Sequence, residues 1–420
     1  MTDGPLELTV ERLTFGFDAL AHDGRQVVFV PYGAPGDCVR AEVVERRKDW
    51  VRARPLAVLA PGPARVVPGC RYFPTCGGCQ WQHVAPAAQR EAKAALIAEH
   101  LARGAGVRDA TVLPTVASPA DWAYRQRITL VVDGRRLGYH RARSHTLLEI
   151  DACPIAAPAL SAHLEAARGW AATLRTPVQR VTIATAPGGV ALAGLAAERP
   201  RPPDHATTED LLARTPSVRG AVLRGGGERF VIGDPTVRVA LEPDLALEVP
   251  CDAFTQVNAG GNLSLVTAVL ALGAFRAGER VLDLYAGAGN FTLPIARRGV
   301  HVCGVERDAV AVAAARANAA RLALDATFTS AAARDALAAE APGSVDAVVL
   351  DPPRTGAGDA IAPLAALRPA RIVYVSCDPP TFARDVRALG RHGYRVGRVQ
   401  PIDLFPQTFH VESVAELLLT

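Results

Sequence analysis

The pattern of hydrophobic and polar positions changes character near residue 251. Before that point it is mostly the pattern of short β-strands. Apolar and polar residues alternate in Leu8–Leu13, Val27–Val30 and Cys38–Val44, with Gly, Asp and Pro between these runs. Residues 7–60 therefore predict a small β-rich module, and a five-stranded barrel of the oligonucleotide-binding type fits this pattern.

A second region follows this module. Pro61-Gly62-Pro63 predicts a linker, and a helix is predicted over Ala87–Ala102. Residues 111–250 are mostly β-rich, and the polar stretch from Glu198 to Asp210 predicts an exposed loop. The chain therefore divides into three predicted domains, covering residues 1–60, 61–250 and 251–420.

From residue 251 onward, short apolar strands alternate with helical stretches. The predicted strands are Arg280–Leu284, Val300–Val305, Val345–Leu350, Ile372–Ser376, Arg395–Pro401 and Val414–Leu418. This alternation predicts an α/β fold with a parallel, doubly wound sheet. Ligands of such folds bind outside the carboxyl ends of the strands.

Composition places few limits on this picture. Hydrophobic residues make up 49% of the 420 residues, which argues against a disordered chain. The net charge of +4 gives only weak support for a nucleic-acid partner. The N-terminus has no signal-peptide pattern, and no long uncharged apolar stretch is present. We therefore expect a cytoplasmic monomer with no membrane partner.

The first strand of the α/β region leads into a glycine-containing turn, Ala286-Gly287-Ala288-Gly289-Asn290-Phe291. The second strand ends at Glu306, 23 residues after Asp283, a spacing at which an acid binds ribose hydroxyls. The third ends in Asp351-Pro352-Pro353-Arg354, which suits a site that holds a planar amine or base. A nucleotide-binding dehydrogenase is the competitor, but the turn lacks the third glycine of that fingerprint, which favours a methyltransferase.

Cys377 directly follows the apolar run Ile372–Ser376, at the edge where the active site is expected. Free cysteines are commonly buried core residues, so its position is what argues for a catalytic role. A thiolate that adds to C6 of uracil makes C5 nucleophilic, and a base must then remove the C5 proton. Glu412, 35 residues further on, is the candidate base; the alternative is a surface acid near the end of the chain.

Four of the eight cysteines form another pattern: Cys70, Cys76 and Cys79 are closely spaced, and Cys153 follows much later. Four thiolates suit either zinc or an iron–sulfur cluster, and spacing alone does not decide between them.

Two basic stretches indicate RNA contacts. Five basic residues surround Trp50 between Arg46 and Arg54, and six arginines lie within residues 121–143. Each stretch is interpreted as a phosphate-contacting surface. A solvated strand edge is the alternative for the first, and a solvated face for the second.

These motifs together resemble the RNA uracil-5-methyltransferases, the family that includes 23S ribosomal and transfer RNA enzymes. The resemblance covers nearly the whole chain. It is carried by residues 7–60, similar to the family's TRAM domain, and by the motifs Asp252–Gly260, Asp283–Phe291, Ser376–Asp385 and His410–Glu412.

The resemblance implies a class I methyltransferase domain that uses S-adenosylmethionine. It implies that the residues contacting the methyl donor or lining its site are Gln256, Tyr285, Asn290, Glu306 and Asp351. It also implies Cys377 as nucleophile, Glu412 as base, and a [4Fe-4S] cluster, rather than zinc, at Cys70, Cys76, Cys79 and Cys153. Two departures stand out: Ala286 replaces a cysteine common in relatives, and Ser330–Arg334 offers no further polar donor contact.

The predicted activity is methylation of C5 of a uridine in RNA. We favour 23S ribosomal RNA over transfer RNA, because the family resemblance associates the four-cysteine site more often with ribosomal enzymes and the N-terminal module suits a large structured RNA. The alternatives are a non-catalytic RNA-binding module, against which Cys377 and Glu412 argue, and a small-molecule or DNA methyltransferase, against which the module and the family resemblance argue.

Overall fold

A computed structural model describes residues 4–420. Residues 1–3 lie outside the described residues. The predicted N-terminal domain begins with these residues, and so does the segment that lacks a signal-peptide pattern. The chain forms a barrel, a central sheet with helices on one face, and a larger α/β sheet.

The barrel is built from five strands and closes because the first strand pairs with both the second and the fourth. Its strands are β1 (Leu6–Leu13), β2 (Asp18–Asp23), β3 (Gln26–Pro31), β4 (Cys38–Arg46) and β5 (Trp50–Ala60). Asp23 pairs with Gln26, and Gly24 in the two-residue turn between them has a φ of 56°. The five-stranded barrel predicted from the alternation is confirmed.

Helix α1 (Pro86–His100) lies between the barrel and the α/β sheet. Proline occupies its first turn, and a single π-helical turn extends it to Ala105. Leu96 packs into the barrel core, whereas Ile97 packs into a core of the α/β sheet. The short strand β6 (Thr111–Val112) joins the α/β sheet at its edge.

The central sheet has seven strands in the order β13-β12-β11-β10-β7-β8-β9. Its elements are β7 (Arg127–Asp133), β8 (Arg136–His140), β9 (Leu147–Glu149), α2 (Pro158–Ala162), α3 (Leu164–Thr173), β10 (Val178–Ala186), β11 (Gly189–Ala196), α4 (Pro203–Arg214), β12 (Val218–Gly225) and β13 (Glu228–Gly233). Its three helices contribute to a core that includes the buried Trp170.

Helix α4 corrects the prediction of an exposed loop over Glu198–Asp210. Asp204 is fully buried and accepts hydrogen bonds from the backbone N–H groups of Arg175 and Thr176, at 2.5 and 3.1 Å. The buried face of the helix consists of Asp204, Thr208 and Leu211. Because two of these three residues are polar, the apolar periodicity that would predict a helix is absent.

A two-stranded hairpin of β14 (Thr236–Glu242) and β15 (Leu245–Pro250) connects the central sheet to the α/β sheet. Val249 packs in one core with Val222 of the central sheet and with Leu265 of helix α5 (Ala259–Gly273). The change in packing therefore begins before residue 251, where the hydrophobic pattern changes.

The α/β sheet has eight strands in the order β18-β17-β16-β19-β20-β22-β21-β6. Its remaining elements are β16 (Arg280–Leu284), α6 (Thr292–Ala296), β17 (His301–Glu306), α7 (Ala309–Arg321), β18 (Ala326–Ser330), α8 (Ala333–Ala338), β19 (Ala347–Leu350), α9 (Ile361–Leu367), β20 (Arg371–Ser376), α10 (Pro379–Gly390), β21 (Tyr394–Ile402) and β22 (Glu412–Leu419). None of the helices described for residues 4–420 is long and apolar enough to cross a membrane.

Besides the added edge strand β6, the sheet differs from the prediction in two respects. Strand β22 runs antiparallel to both of its neighbours, so the sheet is not wholly parallel. Strand β18 was not predicted, because only Phe328 among its five residues is buried. The reversal of β22 matters for the site, since it places the start of this strand at the edge where β19 and β20 end.

Candidate functional site

Cys377 and Glu412 lie at the same edge of the α/β sheet. Ser376 pairs with Ser413 across β20 and β22, and Ser413 donates its hydroxyl hydrogen to the carbonyl oxygen of Ser376 at 3.3 Å. Cys377 follows Ser376, and Glu412 precedes Ser413 on the antiparallel strand. Asp351 follows β19, which pairs with β20 on its other side. The fold therefore brings together these three residues, which are far apart in sequence.

Burial dominates the electrostatics of this edge. It raises the pKa of Cys377 to about 12, with the charges of Glu412 and Asp351 adding to the rise and Arg354 opposing it. Burial also raises the pKa of Glu412 well above its usual range, and Asp351 again adds to the effect. The pKa of Asp351 is raised by burial to about 7. A Glu412 carboxylate, once formed here, is a stronger base than an exposed glutamate.

A cavity adjoins this edge, between the turn after β16 and the segment before α5. Four of the five residues predicted to contact a methyl donor line it: Gln256, Tyr285, Asn290 and Asp351. The side chain of Phe254, which is 68% exposed, also borders the cavity. The structure therefore joins motifs from three separate parts of the sequence in one binding space.

Glu306, the fifth predicted residue, is not among the residues that line this cavity but lies beside the turn that does. Its carboxylate accepts hydrogen bonds from the backbone N–H groups of Gly287, Arg307 and Asp308, at 3.1, 2.6 and 2.8 Å. Gly287 has a φ of 54°, a conformation that favours glycine. The carboxylate of Glu306 thereby fixes the turn on which the cavity is built.

Asn262 of α5 is a site residue that the sequence analysis missed. Its side-chain amide exchanges two hydrogen bonds with that of Asn290, both at 3.0 Å. Asn262 is fully buried and also donates to the carbonyl oxygen of Ala240 at 3.3 Å. The available signal was an asparagine in a mostly apolar helix, because such a group needs polar partners if it is buried.

Arg354 and His410 were quoted in motifs but given no role. An Arg354 guanidinium nitrogen lies 3.5 Å from Nε2 of His410. Burial, with a smaller effect of the charge of Arg354, lowers the pKa of His410 to about 3, which favours the neutral imidazole. Arg354 is also the cation that opposes the rise in the pKa of Cys377.

Cys70, Cys76, Cys79 and Cys153 line a second cavity, together with Arg125 and Tyr139. Burial raises the pKa of Cys79 to about 12 and also raises the pKa values of Cys76 and Cys153. Within residues 4–420, no three His, Cys, Asp or Glu side chains lie close enough to hold one metal ion. The four thiols that the sequence analysis grouped therefore share one cavity wall.

Several arginines of the two basic stretches contact other residues of the protein, which the prediction of RNA-binding surfaces did not include. Arg47, Arg52 and Arg54 of the first stretch form ion pairs with Glu45 and Glu42 on β4. In the second stretch Arg125 and Arg127 are half-buried, and Arg127 donates to the carbonyl oxygen of Ala253. Arg125 and Arg127 are therefore less available to RNA than the surface interpretation assumes.

The strand order, the reversed strand β22 and the cavity after β16 define a class I methyltransferase fold behind an N-terminal barrel. A family model described as conserved hypothetical protein 95 matches residues 270–388.

Comparison with known proteins narrows this class. The chain is 37% identical to the 23S rRNA (uracil(1939)-C(5))-methyltransferase RlmD of Alkalilimnicola ehrlichii, over 98% of this chain and 96% of that protein. It is 35% identical to the enzyme of the same name from Nitrosococcus oceani, over 99% and 96%. A crystal structure of Pyrococcus abyssi tRNA (uracil-54, C5)-methyltransferase with S-adenosyl-L-homocysteine has a TM-score of 0.74 and 26% identity, covering 98% of this chain and 100% of that one. The chain belongs to the RNA uracil-C5-methyltransferase family.

Proposed function

We propose that this chain transfers the methyl group of S-adenosylmethionine to C5 of a uridine in 23S ribosomal RNA. The observation that carries the proposal is the meeting of Cys377 and Glu412 at the sheet edge, beside the cavity that Asp351 lines. A protein that only binds RNA would not need both of these residues at one site. A thiol and a buried carboxylic acid are the two groups that methylation of C5 through a covalent adduct requires.

In the proposed reaction the Cys377 thiolate forms a bond to C6 of the uracil, which makes C5 nucleophilic. C5 then takes the methyl group from the sulfonium of S-adenosylmethionine, and S-adenosylhomocysteine is the leaving group. Glu412 removes the proton from C5, and the bond between sulfur and C6 breaks to release the thiolate. Arg354 favours the thiolate form of Cys377, because it is the cation that lowers the pKa of this thiol.

We assign methyl-donor binding to the cavity after β16. Gln256, Tyr285, Asn290 and Asp351 line it, and Asn262 fixes the amide of Asn290. Glu306 is the candidate for the ribose hydroxyls, because it ends β17 at the spacing used for that purpose in related folds. The structure of the Pyrococcus abyssi enzyme with S-adenosyl-L-homocysteine supports a donor site in this fold.

The substrate proposal rests on the relatives, whose names specify uracil 1939 of 23S rRNA. Transfer RNA is the alternative, because the solved relative is a tRNA enzyme. The test incubates the protein and labelled methyl donor with unmodified transcripts of both RNAs, followed by mass analysis of the nucleosides. We expect 5-methyluridine in the 23S transcript only. Labelling of transfer RNA alone would favour the alternative, and no 5-methyluridine in either RNA would contradict the proposed activity.

We further propose that RNA lies in a groove between the barrel and the turn after β8. Phe17, Arg141, Arg143 and His145 line this groove with the backbone of Gly77 and Gly78. The Arg143 guanidinium lies 5.1 Å from the centre of the Phe17 ring and donates to Asp18 at 2.5 Å. Arg141 is exposed. Exposed guanidinium groups bind phosphates, and an aromatic ring offers a surface for base stacking.

A [4Fe-4S] cluster is the group we assign to Cys70, Cys76, Cys79 and Cys153. All four line one cavity, and a cubane of this kind takes one thiolate at each iron. A single zinc ion, the competing assignment, needs four ligands about 2.3 Å from one point. The resemblance to the RNA uracil-5-methyltransferases is what favours the cluster over zinc. The cluster has no step in the methyl transfer, which needs no electron.

The remaining parts of the proposal concern organisation. We infer that the barrel is a TRAM domain, that residues 61–250 form the cluster-bearing domain, and that residues 251–420 form the methyltransferase domain. We also propose that the chain acts as a monomer in the cytoplasm, where ribosomal RNA is found. Sedimentation of the purified protein measures its oligomeric state, and cell fractionation measures its location.

A further inference from the structure

The loop that leads to Glu412 is held by several buried polar contacts. This base loop comprises residues 403–411, between β21 and β22. Lys93 is fully buried and donates to Oδ1 of Asp403 at 2.5 Å and to the carbonyl oxygen of Phe405 at 3.0 Å. Tyr124, which precedes a residue of the cysteine cavity, donates to the carbonyl oxygen of Pro406 at 3.0 Å.

The centre of these contacts is the side chain of Gln89 on α1, which is fully buried. Its Oε1 accepts from the backbone N–H of Gln407 at 2.9 Å, and its Nε2 lies 3.1 Å from Oε1 of Gln407. The same Nε2 donates to the carbonyl oxygens of Trp81 and Val84, at 3.0 and 2.8 Å. One amide thus binds the base loop and the cluster segment, residues 70–84.

The cluster segment also binds the base loop directly. The backbone N–H groups of Gln80 and Trp81, directly after Cys79, both donate to the carbonyl oxygen of Gln407, at 3.1 and 3.0 Å. Gln407 has a φ of 69°, a left-handed conformation that is costly for a side-chain-bearing residue and persists only where its surroundings impose it.

We propose that Gln89 is a positioning residue for Glu412, and that it couples the four-cysteine segment to the proposed catalytic base. Gln407 precedes Glu412 by five residues, and Thr408, Val411 and Glu412 are all nearly or fully buried. Because only Phe409 and His410 of this closely packed stretch are half-buried, we expect a shift at Gln407 to be transmitted to the carboxylate. This assignment rests on the proposed function, because it presupposes that Glu412 removes the C5 proton.

The test uses Gln89→Leu in the full-length protein and compares RNA carrying ordinary uridine with RNA deuterated at C5 of uridine. Misplacing the base slows proton removal, so product formation should fall on the order of tenfold or more. The deuterium isotope effect should increase, and a denaturation-stable protein–RNA adduct should accumulate. The iron content per chain should equal that of the wild type. A loss of structure alone lowers the amount of active protein without changing the isotope effect.

The matched control is Thr208→Val, which removes a buried hydroxyl that accepts from Nε1 of Trp170 at 3.1 Å, in the helices of the central sheet. It should leave the isotope effect and the adduct fraction unchanged. If Gln89→Leu does not fold, Gln407→Met removes the side-chain contact and keeps the backbone contacts, and the same changes are expected. An isotope effect and an adduct fraction equal to those of the wild type would overturn the assignment of Gln89 but would not affect the proposed function. A wild type that methylates no RNA would contradict the proposed function as well.

Discussion

Thr292 donates its hydroxyl hydrogen to Oδ2 of the fully buried Asp283 at 2.5 Å. Burial nevertheless raises the pKa of Asp283 to about 7; this hydrogen bond opposes the rise and the charge of Asp351 adds to it. The other carboxylate oxygen of Asp283 has no hydrogen-bond partner. An acid inside the α/β sheet is therefore costly to ionise in the folded protein.

This relationship predicts a pH dependence of stability. The unfolded chain loses the proton near pH 3.9, whereas the folded chain keeps it up to about pH 7, so stability falls as the pH rises through this window. Asp283→Asn removes the ionisation and should gain stability relative to the wild type from about pH 4 to about pH 7, on the order of 1.4 kcal/mol per unit of pKa shift. Urea unfolding of both proteins at several pH values measures this difference. A difference that does not change with pH would refute the prediction.

The covalent step can be detected with 5-fluorouridine at the target position. Fluorine cannot leave C5 as a proton does, so the adduct on Cys377 should persist. We expect a protein–RNA complex that survives denaturation with the wild type and is absent with Cys377→Ala. Methylation by Cys377→Ala at the wild-type rate would exclude the proposed mechanism.

Glu412→Gln should behave differently from Cys377→Ala. Addition to C6 and methyl transfer remain possible, but proton removal loses its base, and release of product should slow by about 10²–10⁴-fold. The variant should therefore accumulate the adduct on ordinary RNA. Gel electrophoresis under denaturing conditions quantifies it, with Glu416→Gln as a control, because Glu416 lies on the same strand and pairs with Arg398. An absence of adduct with normal RNA binding would remove Glu412 from the role of base.

The cysteine site predicts about four irons per chain after purification without oxygen, and a brown protein. Cys76→Ser should lose the iron and lower the thermal stability, because Cys76 and Cys153 connect segments that are distant in sequence. Cys303→Ser serves as the control, since Cys303 lies on β17 outside the cysteine cavity. Stoichiometric zinc without iron or sulfide would show that the four cysteines bind a zinc ion instead of a cluster.

The proposed RNA groove predicts a change in salt dependence. Arg141→Ala should weaken RNA binding and reduce the slope of log affinity against log salt concentration by about 0.7 for a contact to single-stranded RNA. Affinity for the methyl donor should not change. Arg214→Ala is a suitable control, because this arginine pairs with Asp210 on α4, away from the groove. Equal slopes for the wild type and Arg141→Ala would place the RNA elsewhere.

The sequence was informative wherever a function requires particular residues in a fixed order. The motifs around Asp283, Asp351 and Cys377 predicted the α/β sheet and the edge at which its ligands bind. Four of the five predicted donor contacts line one cavity. The roles of Cys377 and Glu412 remain predictions, although the structure brings the two residues to the same edge.

Other features could not be predicted from local patterns. The direction of β22 is decided by its pairing with two strands, and alternation within one strand is the same in either direction. Helix α4 was missed because its buried face carries Asp204 and Thr208. The contacts of Gln89 with Gln407 join residues 318 positions apart, and no motif marks them.

The hydrophobic core of the barrel includes residues that lie beyond its last strand in the sequence. Trp81, Val84 and Leu96 complete its hydrophobic core, and the ring of Phe15 packs against that of Phe409 at 4.9 Å. A chimaeric enzyme that received only the five strands from a relative would therefore combine two half-cores of different origin. The smallest unit that can be exchanged between members of this family extends through α1, and Phe409 would have to be matched to it.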